Sequence, residues 1–346
     1  MTNLTMANDR TPSTELATLD QAVQDKIFST VAASKAANTL RAYKSDMRQV
    51  CKYLADTGNT AMVSKVGDNW QLIKPMSAAL IAAYLVERSE QGTALTSLQR
   101  HVASISKWHE MVANNNPGMA NPCKTQLVRD TLAGLRRQNK RQVVKAKPLT
   151  RDQIEVVVQG IDIETRRGIR DKAVILLGWC GAMRRSELAN LTWSQIKFMP
   201  SGMQVTVMQA KTGAATGEGQ TIGVPYQANP NLCPVLAVVA WAKHSWADIQ
   251  SDQPVFRRIM HNGNHTELAL SGQAIGNIVN TCAASAGLDG FTGHSLRAGL
   301  ATAAINAGHP EHEVMNTTRH KSQAVFRGYV HDAELFTKAA SRGLLS

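Results

Sequence analysis

The 346-residue chain contains no pair of cysteines placed to work together. Cys51, Cys123, Cys180, Cys233 and Cys282 are scattered, form no CxxC motif and are odd in number, so neither a disulfide framework nor a zinc site is expected. Long apolar runs are also missing. The stretches around Ala173–Cys180 and Pro234–Ala242 fall far short of the roughly 20 residues of a membrane span. The first twenty residues are polar, rich in Thr, Ser and Asn, with no apolar core of signal-peptide length. No P-loop, no carboxylate cluster suited to two magnesium ions and no internal repeat is found. These absences point to a cytoplasmic protein that makes no use of membrane, metal or ATP, and no cofactor is expected.

Acidic residues are in the minority, 26 Asp and Glu against 38 Lys and Arg, a net charge of +12 at pH 7. Such a surplus concentrates polyanions around a protein, and nucleic acid is the first candidate. A hydrophobic share of 43% is ample for packed cores, and the length suits two domains.

Residues 1–20 read as a flexible tail, and 21–135 as helical. In NTLRAYKSDMRQVCKYL, the residues Leu40, Tyr43, Met47, Val50, Cys51 and Leu54 form an apolar stripe at helical spacing, while Arg41, Lys44, Arg48 and Lys52 occupy another face. Segments 77–88, 95–112 and 125–137 are further helices, and short connections imply a helical bundle. The basic face at Arg41, Lys44 and Arg48, with Arg100 and Lys107 on the 95–112 helix, is the candidate DNA-binding surface. Residues 136–148 form a basic linker. Its run RRQNKRQVVKAK carries six basic residues and no acidic one, so Arg136, Arg137, Lys140 and Arg141 join the candidate DNA contacts.

After Pro148 a second domain, 149–346, begins with a capping box at Thr150 and Gln153. A helix over 166–179 precedes RRSELANLTW. The segments QIKF, MQVTVMQ and QTIGVP have strand composition and are split by turn formers and a Gly-rich loop at 213–219. Helices follow at roughly 232–247, 271–286, 294–307, 310–316 and 322–329, with a final stretch to 345. The expected class is mostly α with a small antiparallel β-sheet.

Five elements of this domain carry candidate chemistry. In GAMRRSELANL, Arg184 and Glu187 share one helix face. Lys211 lies in QAKTG at a strand end. In GHSLRAG, His294 and Arg297 stand three apart near a helix start, where free N–H groups favour an anion. His320 and Tyr329 follow in TRHKSQAVFRGYVH. Taken singly these are ordinary surface or packing residues; their order is what matters. His309 and His312, in GHPEHE, are not read as metal ligands.

The order Arg184, Lys211, His294, Arg297, His320, Tyr329 resembles that of the tyrosine recombinases, also called phage integrases, with all six family positions filled. The 21–135 region with its NTLRAY segment is similar to the family's core-binding domain. The resemblance implies a C-shaped clamp of two domains on DNA, and a homotetramer on two inverted-repeat sites that exchanges strands through a Holliday junction. It also implies a C-terminal tail, about 331–346, that docks on a neighbour; Leu335, Phe336, Ala339 and Leu344 offer its apolar face.

The residue types suit phosphodiester cleavage by a tyrosine. Charge on the non-bridging oxygens in the transition state is met by the fixed guanidiniums of Arg184 and Arg297. His294 and His320 can add donors or move protons. A phenol of pKa about 10 is roughly 0.1% ionised at pH 7, so forming the anion costs about 4 kcal/mol without help. His294 is the expected base. Lys211 takes the role of acid toward the leaving 5′ hydroxyl only by resemblance, and Glu187 is expected to orient Arg184 or a histidine. Two other functions remain open from sequence: a type IB topoisomerase with much the same residues, and a catalytically silent DNA-binding regulator.

Overall fold

Val50, Cys51 and Leu54, spaced along one side of NTLRAYKSDMRQVCKYL, are the buried face of helix α1 (Ala37–Asp56). Leu40, at the other end of the stripe, stays 39% exposed, so only the C-terminal half of that stripe is core. The computed structural model describes residues 37–67, 69–113, 119–138, 146–208, 219–320 and 322–334. They fall into two compact units, one within Met1–Val143 and the other within Val144–Ser346.

In the first unit, α1 is followed by an antiparallel hairpin of β1 (Val63–Val66) and β2 (Asn69–Leu72), then α2 (Ala78–Glu90), α3 (Leu95–Ala113) and α4 (Gln126–Gln138). The hairpin was not expected from a reading that took this region as helical throughout. Ser77 caps α2 by accepting from the Leu80 N–H. Ile81, Tyr84, Leu85, Leu98, Ile105 and Val128 complete the core around α1. Asp46 is fully buried in it, and its charge is met rather than stranded: Arg100 grips it through Nε and Nη2, and Ser104 Oγ donates to it at 2.8 Å.

The second unit opens on Leu149, whose N–H donates to Ser295 O and whose carbonyl accepts from Trp179 Nε1. The reciprocal capping box of Thr150 and Gln153 then starts α5 (Arg151–Gln159). Helix α6 (Arg166–Cys180) is buried along most of its length and packs on α8 (Pro234–His244). Between them lie the short α7 (Arg185–Ala189) and a sheet of β3 (Ile196–Met199), β4 (Gly202–Val207) and β5 (Gln220–Pro225) in order β3-β4-β5, all antiparallel, with Ile196 paired to Val205 and Val205 to Ile222. A hairpin of β6 (Arg257–Ile259) and β7 (His265–Ala269), absent from the sequence expectation, precedes α9 (Gly272–Ser285).

The last three described helices are α10 (Gly293–Asn306), α11 (Glu311–Thr318) and α12 (Gln323–Glu334). α10 sits between α6 and α12. Gly299 permits the close approach of Leu149 to α10, since a Cβ there would lie 2.0 Å from the Leu149 carbonyl oxygen. The architecture is mostly helical with three small antiparallel sheets among the described residues.

Candidate active site

Four chain segments meet at the first turn of α10. Thr292 caps this helix, accepting from the His294 N–H, and so presents His294 at an N-terminus whose orphan donors already favour an anion. Three residues on, Arg297 turns inward and is 1% exposed. Helix α12 lies across α10 because Phe326 and Val330 pack with Ala301, Ile305 and Val314. That packing carries Tyr329 to His294, and Tyr329 Oη stands 3.1 Å from His294 Nε2.

The two arginines are held differently. Arg184 caps α7; its N–H donates to Glu187 Oε2 at 2.8 Å and its Nη1 to Glu187 Oε1 at 2.5 Å, with the side chain still 46% exposed. Arg297 donates Nη1 to the Ala182 carbonyl at 2.9 Å, while its buried Nη2 has no partner among the described residues. A buried guanidinium with donors left over is costly unless an anion arrives to take them. Burial, together with the charges of Arg184 and Arg319, lowers the pKa of Arg297 to about 10. It nevertheless remains charged at neutral pH.

The histidines feel the same surroundings. Desolvation and the positive charges of Arg297, Arg184 and Arg185 hold His294 below its usual value. Desolvation and the charges of Arg297 and Arg184 push His320 down to about 4, so both imidazoles are neutral at pH 7. Thr318 Oγ1 donates its one hydrogen to Val314 O at 2.7 Å and so accepts from His320 Nδ1, also at 2.7 Å. This fixes the tautomer and leaves a lone pair on His320 Nε2. The His320 ring sits beside Tyr329, with centroids 5.4 Å apart.

Burial pushes the Glu187 carboxyl up, but the charges of Arg319 and Arg184 outweigh it and the group lies below its usual range. Arg319 was not among the residues singled out from sequence. It donates to Glu187 Oε2 at 2.8 Å across 132 residues of chain.

Of the candidate catalytic residues, Arg184, Glu187, His294, Arg297, His320 and Tyr329 are thus brought together, while Lys211 lies outside the described residues. Of the candidate DNA contacts, Arg41 and Arg48 are exposed on α1 with Lys44 half-buried beside them, and Arg136 and Arg137 are exposed at the end of α4. Arg100 is engaged by Asp46 and Lys107 by Glu110 at 3.2 Å, partners the sequence did not indicate. Lys140, Arg141 and the tail residues Leu335, Phe336, Ala339 and Leu344 fall outside the described residues. His309 pairs with Glu313 at 3.5 Å.

Residues 147–335 match the model of the phage integrase family. Over 305 residues the chain is 31% identical to the integrase/recombinase xerD homolog of Selenomonas ruminantium, an alignment covering 88% of this chain and 84% of that protein. The crystal structure of XerH site-specific recombinase bound to difH substrate, a pre-cleavage complex, is similar over 94% of this chain and 89% of that one, with TM-score 0.55 and 13% identity. That of a lambda integrase tetramer bound to a Holliday junction is similar over 89% and 76%, with TM-score 0.53 and 15% identity.

Proposed function

The chain belongs to the phage integrase family, the tyrosine recombinases, and we propose that it cuts and rejoins duplex DNA at a defined site through a covalent 3′-phosphotyrosine at Tyr329. The observation that carries this reading is the 3.1 Å approach of Tyr329 Oη to a neutral His294, beside a buried Arg297 that has donors to spare.

In the proposed step Tyr329 Oη attacks the scissile phosphorus and its proton passes to His294 Nε2, which the surrounding cations keep unprotonated and ready. The bond from phosphorus to the 5′ oxygen breaks, and that oxygen takes a proton from Lys211, a role given by family resemblance. Arg184 and Arg297 meet the charge on the non-bridging oxygens, each such donor being worth on the order of 100- to 1000-fold in rate. The phosphotyrosine keeps the energy of the broken bond, so attack by a 5′ hydroxyl reverses the step and rejoins the strand with neither ATP nor a metal. Glu187 holds Arg184 by two hydrogen bonds and orients it.

The partner is double-stranded DNA. Arg41, Lys44, Arg48, Arg136 and Arg137 are the proposed phosphate contacts of the first unit, with Arg100 oriented by Asp46. Lambda integrase, whose fold is similar, was solved as a tetramer bound to a Holliday junction; for this chain the proposed assembly is likewise four copies, on two inverted-repeat sites, with the tail from about 331 as the proposed linking segment. Work on DNA places the enzyme in the cytoplasm, where its five free cysteines stay reduced. Among the described residues no helix is long and apolar enough to cross a membrane.

The test is a pool of singly nicked duplexes of randomised sequence, from which denatured protein–DNA adducts are recovered and sequenced. The wild type should give adducts on an inverted-repeat site and Tyr329→Phe none. Adducts from Tyr329→Phe would overturn the assignment. Adducts without sequence preference would favour a topoisomerase, and tight binding with no adduct a silent regulator.

A further inference from the structure

Helix α11 ends on a residue in the left-handed conformation, and that residue is arginine: Arg319 has φ 56° and ψ 43°. A side chain with a Cβ pays for this backbone. Its head group is buried, and three of its four side-chain hydrogen bonds run to the segment 181–187 that carries Arg184 and Glu187. Nη1 donates to the carbonyls of Gly181 at 3.0 Å and Thr317 at 2.8 Å; Nη2 donates to the Ala182 carbonyl at 2.9 Å and to Glu187 Oε2 at 2.8 Å.

The four hydrogens of its terminal nitrogens are therefore spent, so Arg319 has none of them left for a phosphate. Arg297 differs at these nitrogens, its Nη2 being unpartnered among the described residues; in Arg319 it is only the buried Nε that lacks a partner there. Yet what Arg319 holds is the frame of the clamp. The 181–182 turn leads directly into Arg184, and the Ala182 carbonyl is also the anchor of Arg297 Nη1. Glu187 divides its carboxylate between Arg184 and Arg319. The next residue along the chain from Arg319 is His320.

We propose that Arg319 is a positioning residue for strand cleavage: one guanidinium locks the turn before Arg184, the carboxylate of Glu187 and the end of α11 that delivers His320 into a single frame, without itself touching the phosphate. The inference rests on the cleavage reading given above. It makes Glu187 the group most sensitive to the loss of Arg319. The charges facing that carboxylate are Arg184 from its own helix cap, Arg319 from the end of α11 and Arg297 from α10. Arg319 is the largest of the effects holding it ionised against burial.

The experiment compares wild type, Arg319→Gly and Arg319→Lys in single-turnover cleavage of a nicked duplex recovered from the randomised pool, across pH. Glycine accepts the left-handed backbone without strain, so Arg319→Gly removes the guanidinium and spares the turn. Its DNA affinity should match the wild type, while cleavage at pH 7 falls on the order of 100-fold, as expected when a clamp is misplaced. Because Glu187 then titrates higher, the fall of rate in acid should start at higher pH and become steeper. Arg319→Lys restores the charge without the fork and should return the acid limb toward the wild-type position while regaining only part of the rate. Wild-type rate and pH profile in a folded Arg319→Gly would overturn the proposal; so would a slower rate with an unmoved pH profile, the mark of a merely structural residue. Should Arg319→Gly not fold, Arg319→Gln, which is shorter but keeps a polar amide and loses the charge, is read the same way. If the wild type itself yields no Tyr329 adduct, the cleavage reading fails and this inference falls with it.

Discussion

Tyr329 Oη and His294 Nε2 stand 3.1 Å apart although 35 residues separate them in the chain, and the neutral imidazole is within hydrogen-bond reach of the phenol oxygen. The pairing makes a definite claim about pH. The His294 pKa lies below its ordinary value, chiefly through desolvation and then through Arg297 and Arg184. A base with a lowered pKa stays competent through neutrality and fails only as pH falls through that lowered value. Second-order cleavage rates, which report the free enzyme, should therefore hold level down to below pH 6.5, the ordinary histidine midpoint, before dropping. His294→Gln should lose roughly 100-fold or more in rate and flatten that limb.

Arg297 supplies a separation of stability from activity. Its guanidinium is buried, singly hydrogen-bonded and close to two other cations, and a pKa lowered to about 10 means that holding its charge opposes folding at pH 7. Arg297→Met, similar in reach and apolar, should unfold at the same temperature as the wild type or higher. DNA binding should persist and cleavage should fall on the order of 100- to 1000-fold. A large drop in thermal midpoint would instead make Arg297 a structural residue.

Glu187 should behave in the opposite way. Its carboxylate is shared by Arg184 and Arg319, and Glu187→Gln leaves the buried Arg319 without its counter-charge. The cost at pH 7 should be about 3–5 kcal/mol in denaturant unfolding. Because the folded-state pKa lies below the ordinary carboxylate value, this contribution is present above the carboxylate range and is lost as pH falls through the folded value. The gap between wild type and variant should close in acid; a gap independent of pH would contradict the assignment.

The candidate site residues could be picked out from the chain because each sits in a short local motif, and so could the capping box at Thr150, whose two partners are three residues apart. The segments QIKF, MQVTVMQ and QTIGVP could be read as strands because Val205, Val207, Ile222 and Val224 alternate inward. The hairpins at Val63–Leu72 and Arg257–Ala269 could not. Their strands are three to five residues long and each buries a single residue or none, so no alternation develops. Arg319 was hidden for another reason. Arginine carries no signal for a left-handed backbone, and its partners Gly181, Ala182 and Glu187 lie 132 to 138 residues away. Separation along the chain likewise hid the Asp46–Arg100 pair, 54 residues apart, which turns an apparently bare cation into a braced one.

The first unit is tested by salt. Arg48 and Lys44 lie on α1 as proposed phosphate contacts, so Arg48→Ala and Lys44→Ala should weaken binding to all sequences alike. Each should make the slope of log K against log salt shallower by about one. Titrations of the full-length protein at several salt concentrations measure this directly. An unchanged slope would remove these residues from the interface.

The most direct test of the central claim is to digest the covalent protein–DNA adduct and locate the nucleotide by mass spectrometry. The expected result is a peptide from VFRGYVH carrying the 3′ phosphate on Tyr329, with a free 5′ hydroxyl on the other cleavage product. A phosphate on any other side chain, or a 5′ linkage, would contradict it.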